Sequence, residues 1–175
     1  ILLGKYSKQS DIVIGIPVNG RKNSELENMM GMFANTLPIL SQPKSDKVFS
    51  DYLGEIKEIL LKSYENQDCS FEEIVDCLEI KREMNRNPLF DVMLSVEEST
   101  NGQKTFEGTT IKNGGTVTLT SKFDLMVTVL NEDDKIKLGM EYSTDLWKEE
   151  SVKRMLVHFI SILEEVTSYP NKKIG

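Results

Sequence analysis

The residues able to carry chemistry in this 175-residue chain are few, and the first of them is its only histidine, His158. It lies between Val157 and Phe159 beside the apolar stripe of a predicted helix, a position that favours a structural or solvent-facing imidazole over a general base. We expect the two cysteines, Cys69 and Cys77, to be packing thiols rather than a redox pair. One histidine and two cysteines also fall short of an ordinary structural zinc site. The residue types alone therefore predict a domain without a self-sufficient active site.

Signatures of phosphate binding and of serine hydrolases are missing from the sequence. No Walker-type G-x-x-x-x-G-K-S/T loop occurs, no G-x-G-x-x-G follows a predicted strand, and no G-x-S-x-G elbow is present. Neighbouring acidic residues, such as Glu72-Glu73 and Glu149-Glu150, suit the first turns of predicted helices, where they complement the helix dipole. These pairs are therefore better explained by helix stability than by acid-base catalysis.

Charge and composition exclude several classes of function. The chain carries 28 acidic and 21 basic residues, and its net charge of -7 repels phosphate backbones, so we expect no nucleic-acid partner. A hydrophobic fraction of 39% excludes disorder and collagen-like fibres. The longest apolar run, residues 12–18, contains a glycine and a proline and is too short to span a bilayer. With no basic leader at its start, the chain is expected to be a cytoplasmic piece of a longer protein without a membrane partner.

The elements that must position a site include both helices and strands, since apolar residues recur at the helical period in some segments and at the strand period in others. Apolar residues at three- and four-residue steps predict helices at 48–64, 70–78 and 148–167. Apolar runs and alternation predict strands at 12–18, 34–40, 90–96, 123–130 and 135–142. Helices and strands without strict alternation favour an α/β fold, a two-layer sandwich with a mixed, partly antiparallel sheet. No linker divides the chain, so residues 1–175 are expected to form a single domain.

Local signals refine two of these elements. Ser70 and Glu73 have the spacing of a capping box at the start of a short helix. We expect the buried face of that helix to consist of Ile74, Cys77 and Leu78. One or two helical turns within 25–30 are expected to end at Gly31.

Three short segments share the order and spacing of a known set of motifs. Residues 31–38 read G-M-F-A-N-T-L-P and are similar to I-G-x-F-x-N-T-L-P. Residues 66–72 read N-Q-D-C-S-F-E and resemble H/N-Q-D-x-P-F-E, with Ser70 at the proline position. Residues 82–90 read R-E-M-N-R-N-P-L-F and resemble R-D-x-S-R-N-P-L-F. These motifs belong to the condensation domains of nonribosomal peptide synthetases, and together the matches extend over nearly the whole chain.

The resemblance implies a specific architecture. Condensation domains consist of two lobes, each with a chloramphenicol-acetyltransferase-like fold, and their catalytic H-H-x-x-x-D-G motif lies on the N-terminal lobe. That motif is absent from residues 1–175. The chain therefore resembles the C-terminal lobe alone, without the N-terminal lobe and without the catalytic histidine.

The resemblance also implies an activity and its partners. The intact family domain forms amide bonds between an acyl or peptidyl donor on one carrier protein and an aminoacyl acceptor on another, in peptide antibiotic biosynthesis. Both substrates are carried on phosphopantetheine arms, so no cofactor or metal is expected to bind directly. The implied partners are the N-terminal lobe, the donor and acceptor carrier proteins and an adjacent adenylation domain.

Site residues follow from the matched motifs. Arg21 stands in a turn that resembles the family's G-R segment, where it either supports the aspartate of H-H-x-x-x-D-G through a salt bridge or is a surface charge. Asn35 and Thr36 either face the channel between the lobes or tie down a turn. The positions assigned to the substrate channel or the motifs are Gly31, Asn35, Thr36, Gln67, Asp68, Arg82, Arg86, Asn87 and Pro88.

Structural roles compete with the functional ones at the remaining positions. Turn chemistry favours a structural role for Gln67 and Asp68, and Pro88 restricts the backbone. Arg82 and Arg86 are expected to be solvated or paired with carboxylates.

Two other functions stay open at this stage. The lobe could serve only to dock carrier proteins or a neighbouring domain, as a non-catalytic module. A free-standing acyltransferase of the same superfamily is the third interpretation. The presence or absence of H-H-x-x-x-D-G upstream in the parent gene discriminates the first two.

Overall fold

The computed structural model describes residues 1–80, 86–98, 105–106, 109–110, 120–132 and 135–175. The helices are α1 Leu2–Ser7, α2 Ser24–Glu27, α3 Phe49–Glu65, α4 Phe71–Cys77 and α5 Glu149–Ser168. The strands are β1 Ile12–Val18, β2 Asn35–Ser41, β3 Val92–Glu98, β4 Thr105–Phe106, β5 Thr109–Thr110, β6 Leu125–Glu132 and β7 Lys135–Tyr142.

Five of the strands form one mixed sheet in the order β2-β1-β3-β6-β7. The central strands β1, β3 and β6 are parallel, whereas β2 and β7 pair antiparallel with their neighbours at the two edges. Pro38 lies within β2, where an edge strand tolerates the missing N–H. The mixed, partly antiparallel sheet predicted from the sequence is confirmed.

The helices α1, α3 and α5 cover one face of this sheet. A cavity of about 130 Å³ between them is lined by Leu2 of α1, Tyr52 of α3 and Phe159 of α5, together with side chains of β1, β3, β6 and β7. Burial of such apolar surface contributes roughly 25 cal/mol per Å². The buried apolar side chains of the described residues are Ile12, Leu37, Ile39, Tyr52, Val75, Phe90, Met93, Leu125, Val152, Met155 and Ile174.

An aromatic cluster packs where β1 carries no side chain. A Cβ at Gly15 would lie 2.3 Å from Cε2 of Phe90, so the ring of Phe90 occupies the space that glycine leaves free. The Phe90 ring lies 5.6 Å from the ring of Phe71 and 5.7 Å from that of Phe123. This cluster joins the start of α4 to the segments that precede β3 and β6.

The predicted buried face of α4 is wrong. Val75 is the buried residue of this helix, whereas Cys77 and Leu78 are exposed. The reason is the contact between Phe71 and Phe90: Val75 is four residues after Phe71 and shares its face of the helix. Cys69 is exposed as well, so the prediction that both cysteines pack in the core is also wrong.

Two further expectations need correction. Gly31 does not end a helix, because α2 stops at Glu27 after a single turn. The apolar stripe of α5 predicts a core face that includes Val152, Met155, Ile160 and Leu163. Val152 and Met155 are buried, whereas Ile160 and Leu163 are exposed. Within the residues that the structure describes, no helix is long and apolar enough to span a bilayer.

Candidate functional site

Two of the three motif segments meet at one end of β1. The strand pairs antiparallel with β2, so Val18 at its end lies opposite Asn35 at the start of β2. The loops 19–23 and 28–34 connect these strands through α2, and the loop 66–70 between α3 and α4 lies against them. We call residues 19–36 and 66–71 the motif cluster.

Asn35 holds the motif cluster together through its side-chain amide. Its Nδ2 donates to the carbonyl oxygens of Gln67 at 2.9 Å and Cys69 at 2.8 Å. Its Oδ1 accepts from the backbone N–H of Thr36 at 2.8 Å and of Phe71 at 3.1 Å. Both donors and both acceptor positions of the amide are therefore used within the protein. These hydrogen bonds are those of a side chain that ties down a turn, which is one of the two roles left open for Asn35.

Arg21 organises the loop that follows α2. Its Nε donates to the carbonyl oxygen of Leu26 at 3.1 Å and its Nη2 to that of Met29 at 3.0 Å. The guanidinium carbon also lies 4.6 Å from the centroid of the Phe33 ring, within the range of a cation–π contact. The guanidinium thus binds one carbonyl of α2 and one of the loop that follows it. Among the ion pairs of the described residues, none involves Arg21.

The turn before Arg21 requires a glycine. Gly20 has φ +65°, and a Cβ there would lie 1.9 Å from the carbonyl oxygen of Phe33. Asn19 adds a side-chain hydrogen bond, since its Oδ1 accepts from the N–H of Arg21 at 3.1 Å. The G-R turn is therefore built so that the loop 28–34 can approach its backbone closely.

Asp68 and Gln67 take part in local contacts of the same cluster. The Nζ of Lys22 lies 2.6 Å from Oδ2 of Asp68 and donates to the carbonyl oxygen of Glu65 at 3.2 Å. The side chain of Asp68 is 80% exposed, so this pair contributes roughly 0–1 kcal/mol. The Nε2 of Gln67 donates to the carbonyl oxygen of Tyr64 at 2.9 Å.

The third motif lies at the opposite end of the sheet. Arg86 pairs with Asp91 through contacts of 2.6 Å and 3.4 Å, as expected for an arginine paired with a carboxylate. Oδ1 of Asn87 accepts from the N–H of Leu89 at 3.3 Å and so closes a turn over Pro88. Arg82 lies outside the described residues.

A second carboxylate stands beside Asp91. Asp91 and Asp124 directly precede the parallel strands β3 and β6, and the carbonyl oxygen of Asp91 accepts from the N–H of Leu125 at 3.3 Å. Partial burial and the neighbouring charge of Asp91 raise the pKa of Asp124, while Arg86 acts in the opposite direction.

His158 has the structural role that its sequence position predicts. The side chain is exposed on α5, and its Nδ1 lies 2.8 Å from the hydroxyl oxygen of Tyr6 on α1. Among the described residues, no group of three or more histidine, cysteine, aspartate or glutamate side chains could hold a metal ion.

The structure thus brings Arg21, Asn35, Thr36, Gln67 and Asp68 together and leaves Arg86, Asn87 and Pro88 elsewhere. Sequence reasoning missed Lys22 and Phe33, the partners of Asp68 and Arg21. It also missed Asp91 and Asp124 as a pair. The only signal for that pair is that each aspartate is the second residue of a predicted strand, 90–96 or 123–130. This signal becomes useful only once β3 and β6 are known to be parallel neighbours.

Solved structures share this fold. The holo form of AB3403, a four-domain nonribosomal peptide synthetase bound to AMP and glycine, matches with a TM-score of 0.87 at 23% identity, over 99% of this chain and 14% of that one. The starter condensation domain of rhizomide synthetase RzmA matches with a TM-score of 0.72 at 17% identity, over 99% of this chain and 40% of that one. The fold is therefore of the chloramphenicol-acetyltransferase-like α/β class.

Sequence comparison identifies the family. The sequence model described as condensation domain matches residues 1–175, so the chain belongs to the condensation domain family. It is 42% identical over 174 residues to bacitracin synthase 3 of Bacillus licheniformis, covering 99% of this chain and 3% of that protein. It is 39% identical over 179 residues to gramicidin S synthase 2 of Brevibacillus brevis, covering 100% of this chain and 4% of that protein. The chain thus spans a small part of the length of these curated relatives.

Proposed function

We propose that the chain is the C-terminal lobe of a condensation domain, which forms amide bonds in a nonribosomal peptide synthetase and is inactive as an isolated lobe. The observation that carries this proposal is the family match over all 175 residues of a sequence without H-H-x-x-x-D-G. His158 cannot replace the catalytic histidine, because it lies on α5 with its Nδ1 bonded to Tyr6, away from the motif cluster. The catalytic imidazole therefore comes from the N-terminal lobe.

The size of a solved family member supports the division into lobes. Nearly the whole of this chain aligns with the starter condensation domain of RzmA, yet it covers only 40% of that chain. A condensation domain thus contains more protein than this lobe provides. We assign the part of that domain which this chain does not cover to the N-terminal lobe.

A loop of the motif cluster is suited to contact that second lobe. Met30 and Met32 are 100% and 95% exposed, and Met29 beside them is 52% exposed. Methionine side chains adapt well to an opposing surface, and neighbouring exposed apolar residues mark interaction sites. Arg21 fixes the backbone of this loop through the carbonyls of Leu26 and Met29. The apolar side chains are thereby presented on a rigid support.

The substrates follow from the family. A donor acyl or peptidyl group on one carrier protein is transferred to the amine of an aminoacyl group on another, both held as phosphopantetheine thioesters. The nitrogen attacks the thioester carbonyl, an amide forms, and the donor thiol leaves. The carrier proteins and an adjacent adenylation domain are the proposed neighbours, as the synthases of bacitracin and gramicidin S among the relatives support.

The test is an amide-formation assay with loaded donor and acceptor carriers. We expect no turnover above the no-enzyme control from the 175-residue chain, and turnover when the parent's N-terminal lobe is added. The double substitution Met30→Ser with Met32→Ser should abolish that rescue, whereas Leu61→Ser on α3 should not, although Leu61 is also exposed. Turnover by the chain alone contradicts the proposal. Carrier binding without turnover in the two-lobe mixture instead identifies a docking module.

A further inference from the structure

A cavity of about 650 Å³ opens at the end of the sheet opposite the motif cluster. The starts of the parallel strands β1, β3 and β6 meet there, and α1 and α5 close its sides with Leu3, Tyr6 and Met155. Trp147, in the segment before α5, completes the wall. Its volume lies within the roughly 300–1,000 Å³ that small-molecule sites occupy.

Three carboxylates line this cavity, and none of its described lining residues is a lysine, arginine or histidine. Two of them have partners: Asp91 pairs with Arg86 from outside the lining, and Asp11 accepts hydrogen bonds from Gln42 at 2.5 Å and Ser10 at 3.3 Å. The third is Asp124, whose carboxylate has no hydrogen bond or ion pair among the described residues.

The electrostatic surroundings of Asp124 leave its charge poorly compensated. Partial burial and the charge of Asp91 both raise the pKa of Asp124, and Arg86, which opposes this shift, is already paired with Asp91. A cation bound in the cavity would remove this imbalance, because an opposite charge within about 4–6 Å favours the ionised form of a carboxyl group.

The remaining lining indicates which kind of cation fits. Tyr6, Phe90 and Trp147 are aromatic, and Leu3 and Met155 are aliphatic, so most of the wall is apolar. A hydrated metal ion suits such a wall poorly, and the described residues contain no group of three or more side chains that could bind one. Carboxylates together with aromatic faces are the groups that bind ammonium ions.

We propose that this cavity binds a small organic primary amine, with the ammonium group paired to Asp124 and the apolar part against Leu3, Met155 and Trp147. The inference does not depend on the proposed function, because binding requires neither the second lobe nor amide formation.

The chain contains a single tryptophan, and it lines the cavity, so its intrinsic fluorescence reports binding directly. We expect 2-phenylethylamine to change the Trp147 emission of the 175-residue chain with a saturable one-site curve. The neutral analogue 2-phenylethanol has nearly the same shape and should bind at least about tenfold more weakly, because it lacks the charge that Asp124 pairs with.

Variants test the role of Asp124. Asp124→Asn keeps the side-chain shape and should weaken 2-phenylethylamine binding at least about tenfold, whereas the exposed control Asp46→Asn should leave it unchanged. Circular dichroism and the urea midpoint establish whether each variant is folded. The comparison of amine and alcohol on the wild-type chain decides the question even if Asp124→Asn does not fold.

Three results would overturn the proposal. They are a non-saturable emission change with the amine, equal affinity for the alcohol, and unchanged binding to a folded Asp124→Asn variant.

Discussion

At the scale of single residues, Asn35 shows how a family motif can be structural. One amide group joins the start of β2 to two carbonyls of the loop 66–70, those of Gln67 and Cys69, and to the first N–H of α4. No other side chain can donate twice and accept twice in this geometry except the longer glutamine. Asn35 of the segment N-T-L-P thus binds the segment N-Q-D-C-S directly.

The first prediction concerns this amide. Asn35→Ala removes four hydrogen bonds and leaves partly buried backbone groups unpaired, so the free energy of unfolding should fall by about 2–4 kcal/mol. Asn35→Asp should also destabilise, because a carboxylate cannot donate to the carbonyls of Gln67 and Cys69. The control Asn66→Ala loses one exposed hydrogen bond and should cost less than about 1 kcal/mol. Equal urea midpoints for Asn35→Ala and Asn66→Ala would contradict this.

Arg21 gives a second prediction at this scale. In an intact two-lobe domain, Arg21→Ala should cut amide formation at least about tenfold, equivalent to roughly 1.4 kcal/mol in the transition state. The carbonyl oxygens of Leu26 and Met29 then lose the guanidinium N–H groups that bind them. Any salt bridge from Arg21 to the other lobe is lost too. Arg21→Lys should restore only part of the activity, because an ammonium lacks the planar fork. Wild-type turnover in a folded Arg21→Ala domain would refute a supporting role.

At the scale of elements, the helices and strands are fixed in place by a few close contacts. β1 can accept the Phe90 ring only because Gly15 has no side chain, and α4 turns its Val75 face inward because Phe71 meets the same ring. The start of α4 is closed by a complete capping box, with Ser70 Oγ accepting from the N–H of Glu73 at 3.2 Å and Glu73 accepting from the N–H of Ser70 at 2.8 Å.

The packing of β1 is tested by two glycine substitutions. Gly15→Ala places a methyl group 2.3 Å from the Phe90 ring and should lower the free energy of unfolding by about 1–3 kcal/mol through overpacking. Gly54→Ala, within α3 and with nothing within 4 Å, should instead raise it by about 0.5–1 kcal/mol. Chemical denaturation of both variants measures the difference. A loss of stability in Gly54→Ala, or none in Gly15→Ala, would show that this account of the packing is wrong.

The capping box of α4 is tested by Ser70→Ala, which should cost about 1 kcal/mol of stability. Ser161→Ala is the control, because Ser161 lies inside α5, where alanine is the better helix former. A Ser70→Ala midpoint equal to that of the wild type would mean that the hydrogen bonds of the cap add no stability.

The cap also has a pH dependence. The hydrogen bonds from Ser70 lower the pKa of Glu73 below its ordinary value of 4.5, so its stabilising effect is complete above that value and is lost as the pH falls through the lower, folded-state pKa. The stability gap between the wild type and Glu73→Ala, measured by urea denaturation, should therefore shrink below about pH 4. A gap that is the same at pH 7 and pH 3 would contradict this assignment.

At the scale of the whole molecule, the two proposals concern opposite ends of the sheet. The motif cluster with its exposed Met29, Met30 and Met32 lies at the end of β1, and the acidic cavity lies at its start. Parallel β1, β3 and β6 produce this division, because they gather all their starts at one edge and all their ends at the other.

A chain with such an exposed apolar loop should associate with itself. We expect the sedimentation-equilibrium mass of the 175-residue chain to rise with concentration, and the double substitution of Met30 and Met32 by serine to reduce this rise. Adding the N-terminal lobe should replace self-association by a one-to-one complex. A monomer at all accessible concentrations would show that the methionine loop does not drive association.

Much of this protein is determined by its sequence alone. Strand alternation, the apolar stripes of α3 and α5 and the Ser70–Glu73 spacing depend on neighbours close in the chain. The five strands of the main sheet, the helices α3, α4 and α5 and the α4 capping box were therefore predicted correctly, whereas α1 was not predicted. The motif order likewise predicted the family.

Only the tertiary structure decided how those elements meet. Which face of α4 is buried depends on Phe90, nineteen positions after Phe71 in the chain, and the guanidinium of Arg21 binds carbonyls five and eight residues further along. The hydrogen bonds from Asn35 to the carbonyls of Gln67 and Cys69 depend on a loop that is distant in sequence. The position of Asp91 beside Asp124 likewise depends on two strands that are distant in sequence. The physical reason is that local periodicity predicts the type of an element and which of its residues share an apolar face. The contacts that orient the element come from residues that only the folded chain brings within reach.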